Sequence, residues 1–498
     1  MKNELRARIA IGLLIIFGAY VCWIAGSTFL VDDWGQVFLH KVTIFEQLEG
    51  WKQLWGFRPV SLILLTLAIH VFSANWFAFA IVNSCLYLFS IWVYLWNKNP
   101  IQDLRVKVFS VLLGATPAIA STVIFSPVNQ LSATISITFA AIGYLFLEVR
   151  SANSKRKTLF KFLATFMFSA SLLSYEISLP LILWSCLSNI SRREMDAPKE
   201  SRWKVLLEIT PFLIPIFVSI IWQKFVAPQI LGSNLSRLTT FSVQSISSLV
   251  DSLAFKFPRA LLEEAHQNLI GIIVLTVCII FVAGKKSQNL VGAKIYRIPR
   301  TKLFTGLAFF SGFALYAFSG QMSDVVTYIN RGMTSIWITG ILFGMSLLSS
   351  QIKKHELVAI IMSFVIAANA LWFFDKVDAS NAASRYRLNV LNSISEDIKQ
   401  IQLEGPTNKT ILLLDVPCYL PGNQLGIELF CAGWDANGAL IEKGFNFAGV
   451  YSLGDPGFHF YKENLLKTGV NNFVILKLRF TREGKLEQIN EVNPLAWN

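Results

Sequence analysis

A polytopic α-helical membrane protein carrying a small C-terminal α/β domain on its outer side is the fold class this sequence predicts. Three observations lead there. Of 498 residues, 54% are hydrophobic and only 15% are charged, against roughly 25% charged in a soluble domain. Apolar stretches of about 17 to 22 residues recur along the chain, the length a helix needs to cross the hydrocarbon of a bilayer. Lysine and arginine fall in alternate loops between those stretches, as the positive-inside rule requires. The formal net charge of +13 does not mark a nucleic-acid partner, which would need the basic residues gathered on one accessible face.

Taken in order, Lys2, Arg6 and Arg8 precede an apolar run from Ile9 to Val31. It is longer than the roughly 7 to 15 residues of a signal-peptide core, so it reads as a first span with a cytoplasmic N-terminus. Residues 32–58 form the first outer loop, whose Trp34, Trp51 and Trp55 suit the membrane interface. Pro59 to Phe72 is apolar but short for a span, and reads as a helix lying in the outer interface. The return span is then Asn75 to Trp96. Charge supports this choice: only if 59–72 does not cross do the basic clusters at 98–107, 150–157, 192–204, 285–300 and 353–354 all face the cytoplasm.

The later spans run Val106–Phe125, Leu131–Leu147, Leu159–Ser174, Ile177–Ile190, Leu206–Phe225, Leu269–Val282, Leu303–Phe318, Met333–Leu348 and Leu357–Phe374. The total is about 11, an odd number, so the C-terminus lies outside. Residues 1–374 thus form the transmembrane domain and 375–498 the extracytoplasmic one. In the latter, Leu388, Leu391, Ile394, Ile398 and Ile401 recur at helical spacing. Thr410–Val416 and Asn472–Leu478 read as buried strands, with a helical stretch Phe460–Lys467 between them. The protein belongs in a bacterial cell membrane.

Cys22, Cys85, Cys186 and Cys278 fall in spans and pack there. Cys418 and Cys431 fall in the outer domain, where an oxidising compartment would allow them to pair, and where they can equally remain two thiols. No CxxC, HExxH, Walker or Rossmann glycine pattern is present, so neither a metal site nor a bound cofactor is indicated, although a divalent cation is compatible with an acidic pair.

That pair is Asp32-Asp33, directly after the first span. On the same side stand Arg58 at the end of the loop, Tyr175-Glu176 at a span mouth, Arg331 before another span, and Asn129-Gln130 after Pro127. Lys256 and Arg259 are reserves in the long outer loop 226–267. Each residue has an ordinary structural role open to it: arginines snorkel to headgroups, Glu176 can start a helix, and Asn129-Gln130 can cap one. Together, carboxylates and arginines at membrane depth are costly unless they pair or serve a substrate. One chemistry uses both. A carboxylate takes the proton of an acceptor hydroxyl as its oxygen attacks an anomeric carbon, while an arginine offsets charge on a departing phosphate.

Val31-Asp32-Asp33-Trp34, Phe57-Arg58-Pro59 and the whole arrangement of spans and outer domain resemble the GT-C superfamily of integral membrane glycosyltransferases. The general plan is similar to that of protein O-mannosyltransferases, aminoarabinose transferases acting on lipid A and O-antigen glucosyltransferases. The resemblance implies inverting transfer from a polyprenyl-phosphate sugar to a glycan, lipid or protein acceptor, with Asp32 or Asp33 at the catalytic acidic position. Trp34-Gly35 allows a tight bend that favours Asp33. Two other classes compete. A polysaccharide polymerase or ligase would use a late loop rich in Arg and His, whereas 226–267 holds only Arg237, Arg259, Lys256 and His266. A flippase would carry charges within spans and internal repeats, and neither is evident.

Overall fold

The computed structural model describes residues 18, 33–97, 101, 103–120, 126–149, 154–196, 202–231, 242–283, 298–319, 333–400, 409–417, 433–453 and 473–492. The expected first span, the helical stretch 460–467 and both outer cysteines lie outside these residues. Helices dominate, for the reason the composition gives: in an apolar solvent every backbone N–H and C=O must be satisfied within the segment.

The first outer loop is itself helical, with α1 (Asp33–Val37), a 3-10 turn Phe38–Lys41 and α2 (Ile44–Trp55). Thr43 starts α2 with a reciprocal capping box to Glu46. Pro59 occupies the first turn of α3 (Pro59–Phe72), where its missing N–H costs nothing. At 14 residues, α3 is about 21 Å long, short of the roughly 30 Å of hydrocarbon.

The bundle continues with α4 (Trp76–Ile91), α5 (Leu104–Ala115), α6 (Pro127–Leu147), α7 (Ser154–Ser174), α8 (Leu179–Asp196) and α9 (Arg202–Ile221). A π turn, Trp222–Val226, joins α9 to the short α10 (Ala227–Leu231). A small residue lets α6 and α7 approach closely: a Cβ on Gly143 of α6 would meet Phe168 Cε1 of α7 at 2.8 Å. Beside it Tyr94, Tyr144 and Trp184 form a buried aromatic knot, Tyr94 and Tyr144 stacked at 5.9 Å and Trp184 edge-on to both. The opposite faces turn outward, and only 28% of the apolar stretch in Ile209–Leu231 is covered by protein, as befits a lipid-facing helix.

The segment 226–267 is not an open loop. Its residues 243–267 form α11 (Val243–Asp251), a π turn Ser252–Lys256 and α12 (Phe257–Gln267). Leu249 and Ala260 face the core while Val243, Phe255 and Leu262 face out, an amphipathic pattern hidden by the scattered polar residues. α12 then bends by 104° into α13 (Leu269–Ala283). Next come α14 (Ile298–Ser319), α15 (Met333–Lys354) and α16 (Glu356–Gln400). Among the described residues five helices are long and apolar enough to cross a membrane, six if the bent pair counts as one span.

The expected end of the last span at Phe374 is not a helix end. α16 runs 45 residues without a break, so the periodic residues Leu388, Leu391, Ile394 and Ile398 belong to the same helix. Beyond it stands a four-stranded sheet of β1 (Thr410–Asp415), β2 (Gly449–Ser452), β3 (Val474–Phe480) and β4 (Leu486–Glu491), in the order β2-β1-β3-β4. β1 pairs in parallel with β2 and β3, and β4 is antiparallel to β3. α17 (Gly433–Glu442) precedes β2. β1 is buried from Thr410 to Leu414, as its run Ile411-Leu412-Leu413-Leu414 requires of a central parallel strand.

Candidate functional site

The break between α7 and α8 carries two of the candidate residues, and hydroxyls from other elements cage it. Ser61 of α3 donates to the carbonyl of Ser174 at 2.6 Å, and Ser136 of α6 donates to that of Tyr175 at 2.7 Å. Ser335 of α15 donates to the carbonyl of Ile177. A chain reversing inside a bundle has backbone carbonyls that water cannot reach, and each serine supplies one missing donor. The cage fixes Tyr175 and the 3-10 turn Glu176–Ser178.

Arg58 is delivered to this turn by its own neighbours. Pro59 disfavours the helical conformation at the preceding residue, and Arg58 sits at φ −128°, ψ 67° as the N-cap of α3. Gly56, two residues before it, has no room for a side chain, since a Cβ there would meet Leu231 Cδ2 at 2.6 Å. The Gly56 carbonyl accepts from Trp222 Nε1 at 3.0 Å. Arg58 Nε and Nη2 donate to Glu176 Oε2 at 3.1 and 2.9 Å, and the guanidinium carbon lies 3.7 Å from the centre of the Tyr175 ring. Gln223, in the π turn after α9, donates to Glu176 Oε1 at 2.6 Å. Both oxygens of Glu176 are therefore engaged, which makes it a positioning carboxylate. Arg58 is buried, and its Nη1 has no partner among the described residues.

Asp33 is the first residue of α1 and is completely buried. Its Oδ1 accepts from Ser126 Oγ at 2.8 Å, and Ser126 is the N-cap of α6. The carboxylate thus stands at the end of α6 where the helix dipole favours negative charge. Ser136, which holds the Tyr175 turn, is ten residues further along α6, about 15 Å along the axis. Two buried amide oxygens adjoin this position in the helical lattice: Gln36, three residues after Asp33 on α1, and Gln130, four after Ser126 on α6. α1 and α6 pack together. Oε1 of both glutamines lacks a hydrogen-bond partner among the described residues. Buried amides left so are suited to accept from the hydroxyls of a ligand.

The other candidates divide. Asn129 lies in the first turn of α6. Lys256 and Arg259 have their ion pairs elsewhere: half-buried Lys256 lies 3.6 Å from Asp251, and exposed Arg259 lies 2.8 Å from Glu263. Asp32 and Arg331 lie outside the described residues. No group of three His, Cys, Asp or Glu able to hold a metal occurs among the described residues.

Residues that the sequence did not single out include Gln36, Ser126, Gln223, Lys376 and Arg387. Lys376 is buried in α16, donates to the carbonyl of Ala118 at 2.9 Å and lies 4.3 Å from the Trp372 ring, and Arg387 is buried three turns on. Ending the span at Phe374 hid both, although a lysine two residues past an apolar run is the signal that would have found them. A cavity of 270 Å³ opens among Leu113, Phe257, Phe309, Trp337, Met345 and Met362 and is almost wholly apolar.

Neither a family model nor a curated protein sequence matches the chain. Among solved structures it is similar to ArnT from Cupriavidus metallidurans in the apo state, at 11% identity and a TM-score of 0.41, covering 94% of this chain and 92% of that one. It is likewise similar to the same protein bound to undecaprenyl phosphate, at 9% identity and a TM-score of 0.43, covering 94% and 93%.

Proposed function

We propose that this protein is an integral membrane glycosyltransferase that moves a sugar from a polyprenyl-phosphate donor to a hydroxyl of a glycan, lipid or protein on the outer face of the membrane, with inversion. The observation that carries the reading is the buried Asp33 carboxylate, held by Ser126 at the mouth of α6 and flanked by two partnerless amide oxygens. The acceptor oxygen attacks the anomeric carbon, Asp33 takes its proton, and the C1–O bond breaks with its electron pair leaving on the phosphate. Gln36 and Gln130 accept from sugar hydroxyls. Arg58, its face fixed on Tyr175 and two donors on Glu176, turns Nη1 to the phosphate. The apolar cavity suits an isoprenoid chain. Asp33 is enclosed, so the acceptor reaches it only when the segments over it move.

Asp33→Asn keeps the shape and removes the basicity. Turnover is expected to fall by about two to four orders of magnitude, with expression and donor binding near parental. The measurement is release of polyprenyl phosphate from a panel of polyprenyl-phosphate hexoses and pentoses, with membrane extract as acceptor, for Asp33→Asn and Asp32→Asn. Parental rates in both variants would reduce the acidic pair to a loop feature and remove the residue-level basis of the assignment.

A further inference from the structure

The loop that presents Asp33 is tied to the far end of the sequence at one point. Lys41, in the 3-10 turn that follows α1, donates to the carbonyls of Ile441 at 2.7 Å and Glu442 at 3.2 Å and lies 3.5 Å from the Glu442 carboxylate. His40 Nδ1 lies 3.7 Å from the same carboxylate. Those carbonyls are the last of α17. Gly444 ends the helix at φ +92°, with Phe445 N donating to Leu440 O and Gly444 N to Ile441 O. That closure leaves the Glu442 carbonyl for an outside donor, and a cation there also meets the negative end of the helix dipole. The remaining contact is apolar: Val37 on α1 and Ala436, Ala439 and Leu440 on α17 are buried in the same core.

α17 is in turn anchored to the bundle. Lys443 donates to Asn392 of α16 at 2.9 Å, and Asn389 of α16 donates to the carbonyl of Glu483 at 2.8 Å. Gly484, at φ +81°, packs so closely that a Cβ would meet the Tyr386 carbonyl at 2.7 Å. Contacts therefore run from α16 through the α/β unit to the loop bearing Asp33.

We propose that the C-terminal α/β unit serves to hold the Asp33 loop in register, and that Lys41 is the positioning residue through which it does so. The proposal rests on the glycosyltransferase reading. It assigns the outer unit a mechanical part in catalysis, distinct from acceptor binding.

The test combines two readouts on the full chain in detergent or nanodiscs. Hydrogen exchange reports whether residues 33–41 stay protected, and kcat and KM are measured with the polyprenyl-phosphate sugar that the parent accepts. Lys41→Met should raise exchange in 33–41 and lower kcat about fivefold or more with donor KM little changed, because a misplaced base costs turnover while the donor site stays intact. Lys41→Arg, which keeps the charge and the donors, should restore most of both. Gly444→Ala, strained at a positive φ with open space around its Cβ, should reproduce the effect from the α17 side and serves if Lys41→Met does not fold. Unchanged exchange in Lys41→Met, or raised exchange with parental kcat, would overturn the proposal. Parental transfer by Asp33→Asn is a different failure, that of the general base, and the exchange arm still decides whether the clamp exists.

Discussion

The Arg58 guanidinium gives two donors to Glu176 and its face to Tyr175, so Arg58→Lys removes the planar grip while keeping a charge. We expect kcat/KM to fall about tenfold or more with only a small loss of thermal stability, because the lysine still offsets Glu176. Gln130→Leu separates a ligand role from a structural one. Removing a buried acceptor that has no partner costs the fold nothing or even stabilises it. A sugar hydroxyl deprived of its acceptor should raise KM by about tenfold, roughly one hydrogen bond. A lower melting temperature together with an unchanged KM would assign Gln130 to packing. At this scale the sequence showed the charges and Asn129-Gln130, and missed Gln36 and Gln223. Asp33, Arg58 and Glu176 stand out because ionisable groups at membrane depth are rare, whereas Gln36 and Gln223 look like ordinary polar residues until the turns that hold them are known.

Helix α6 carries the load between the two polar centres, with Ser126 at Asp33 and Ser136 at the Tyr175 turn. Its crossing with α7 depends on Gly143, where a Cβ would lie 2.8 Å from Phe168 and 3.2 Å from the Ala164 carbonyl. Gly143→Leu is therefore expected to destabilise the bundle by about 1–3 kcal/mol, read as a lowered unfolding midpoint in detergent. Outside the bundle, Thr43 holds the Glu46 carboxyl below its ordinary value of 4.5 through its amide and its hydroxyl. That contribution to α2 is present above pH 4.5 and is lost as pH falls through the lowered value. Faster amide exchange in residues 44–47 at acid pH, absent from Thr43→Ala, would register it.

Most helices were legible at this scale. Asn75–Trp96 and Leu131–Leu147 were expected as spans, and Trp76–Asn97 and Pro127–Leu147 are helical. Hydrophobic length alone specifies a helix that must satisfy its own backbone. What failed was punctuation. No proline or glycine follows Phe374 closely, and α16 continues where composition changes; after Val226, Pro228 and Gly232 suggest a loop, yet α11 forms from Val243 onward.

Across the whole molecule, two contacts relate the loops to one another. Arg105 at the start of α5 pairs with Glu356 at the start of α16 at 2.9 Å, so those two ends share a level. Lys41 meets α17, so the first loop shares a level with the C-terminal unit. α16 joins the two levels: its 45 residues extend about 66 Å, more than twice the hydrocarbon thickness of a bilayer. The Arg105 and Glu356 end therefore lies opposite the Asp33 and sheet end. We expect the first of these ends to face the cytoplasm by the positive-inside rule, because Arg105 and Lys107 stand in the first turn of α5 and Lys353 and Lys354 at the end of α15. Alkaline phosphatase fused after Asn498 is expected to be active, and β-galactosidase there inactive. Fusions at residues 150–153 should give the reverse pattern; a shared pattern at both points would mean that the segments between them cross an even number of times, whereas inversion at both points would make α3 the first to be reassigned as a span.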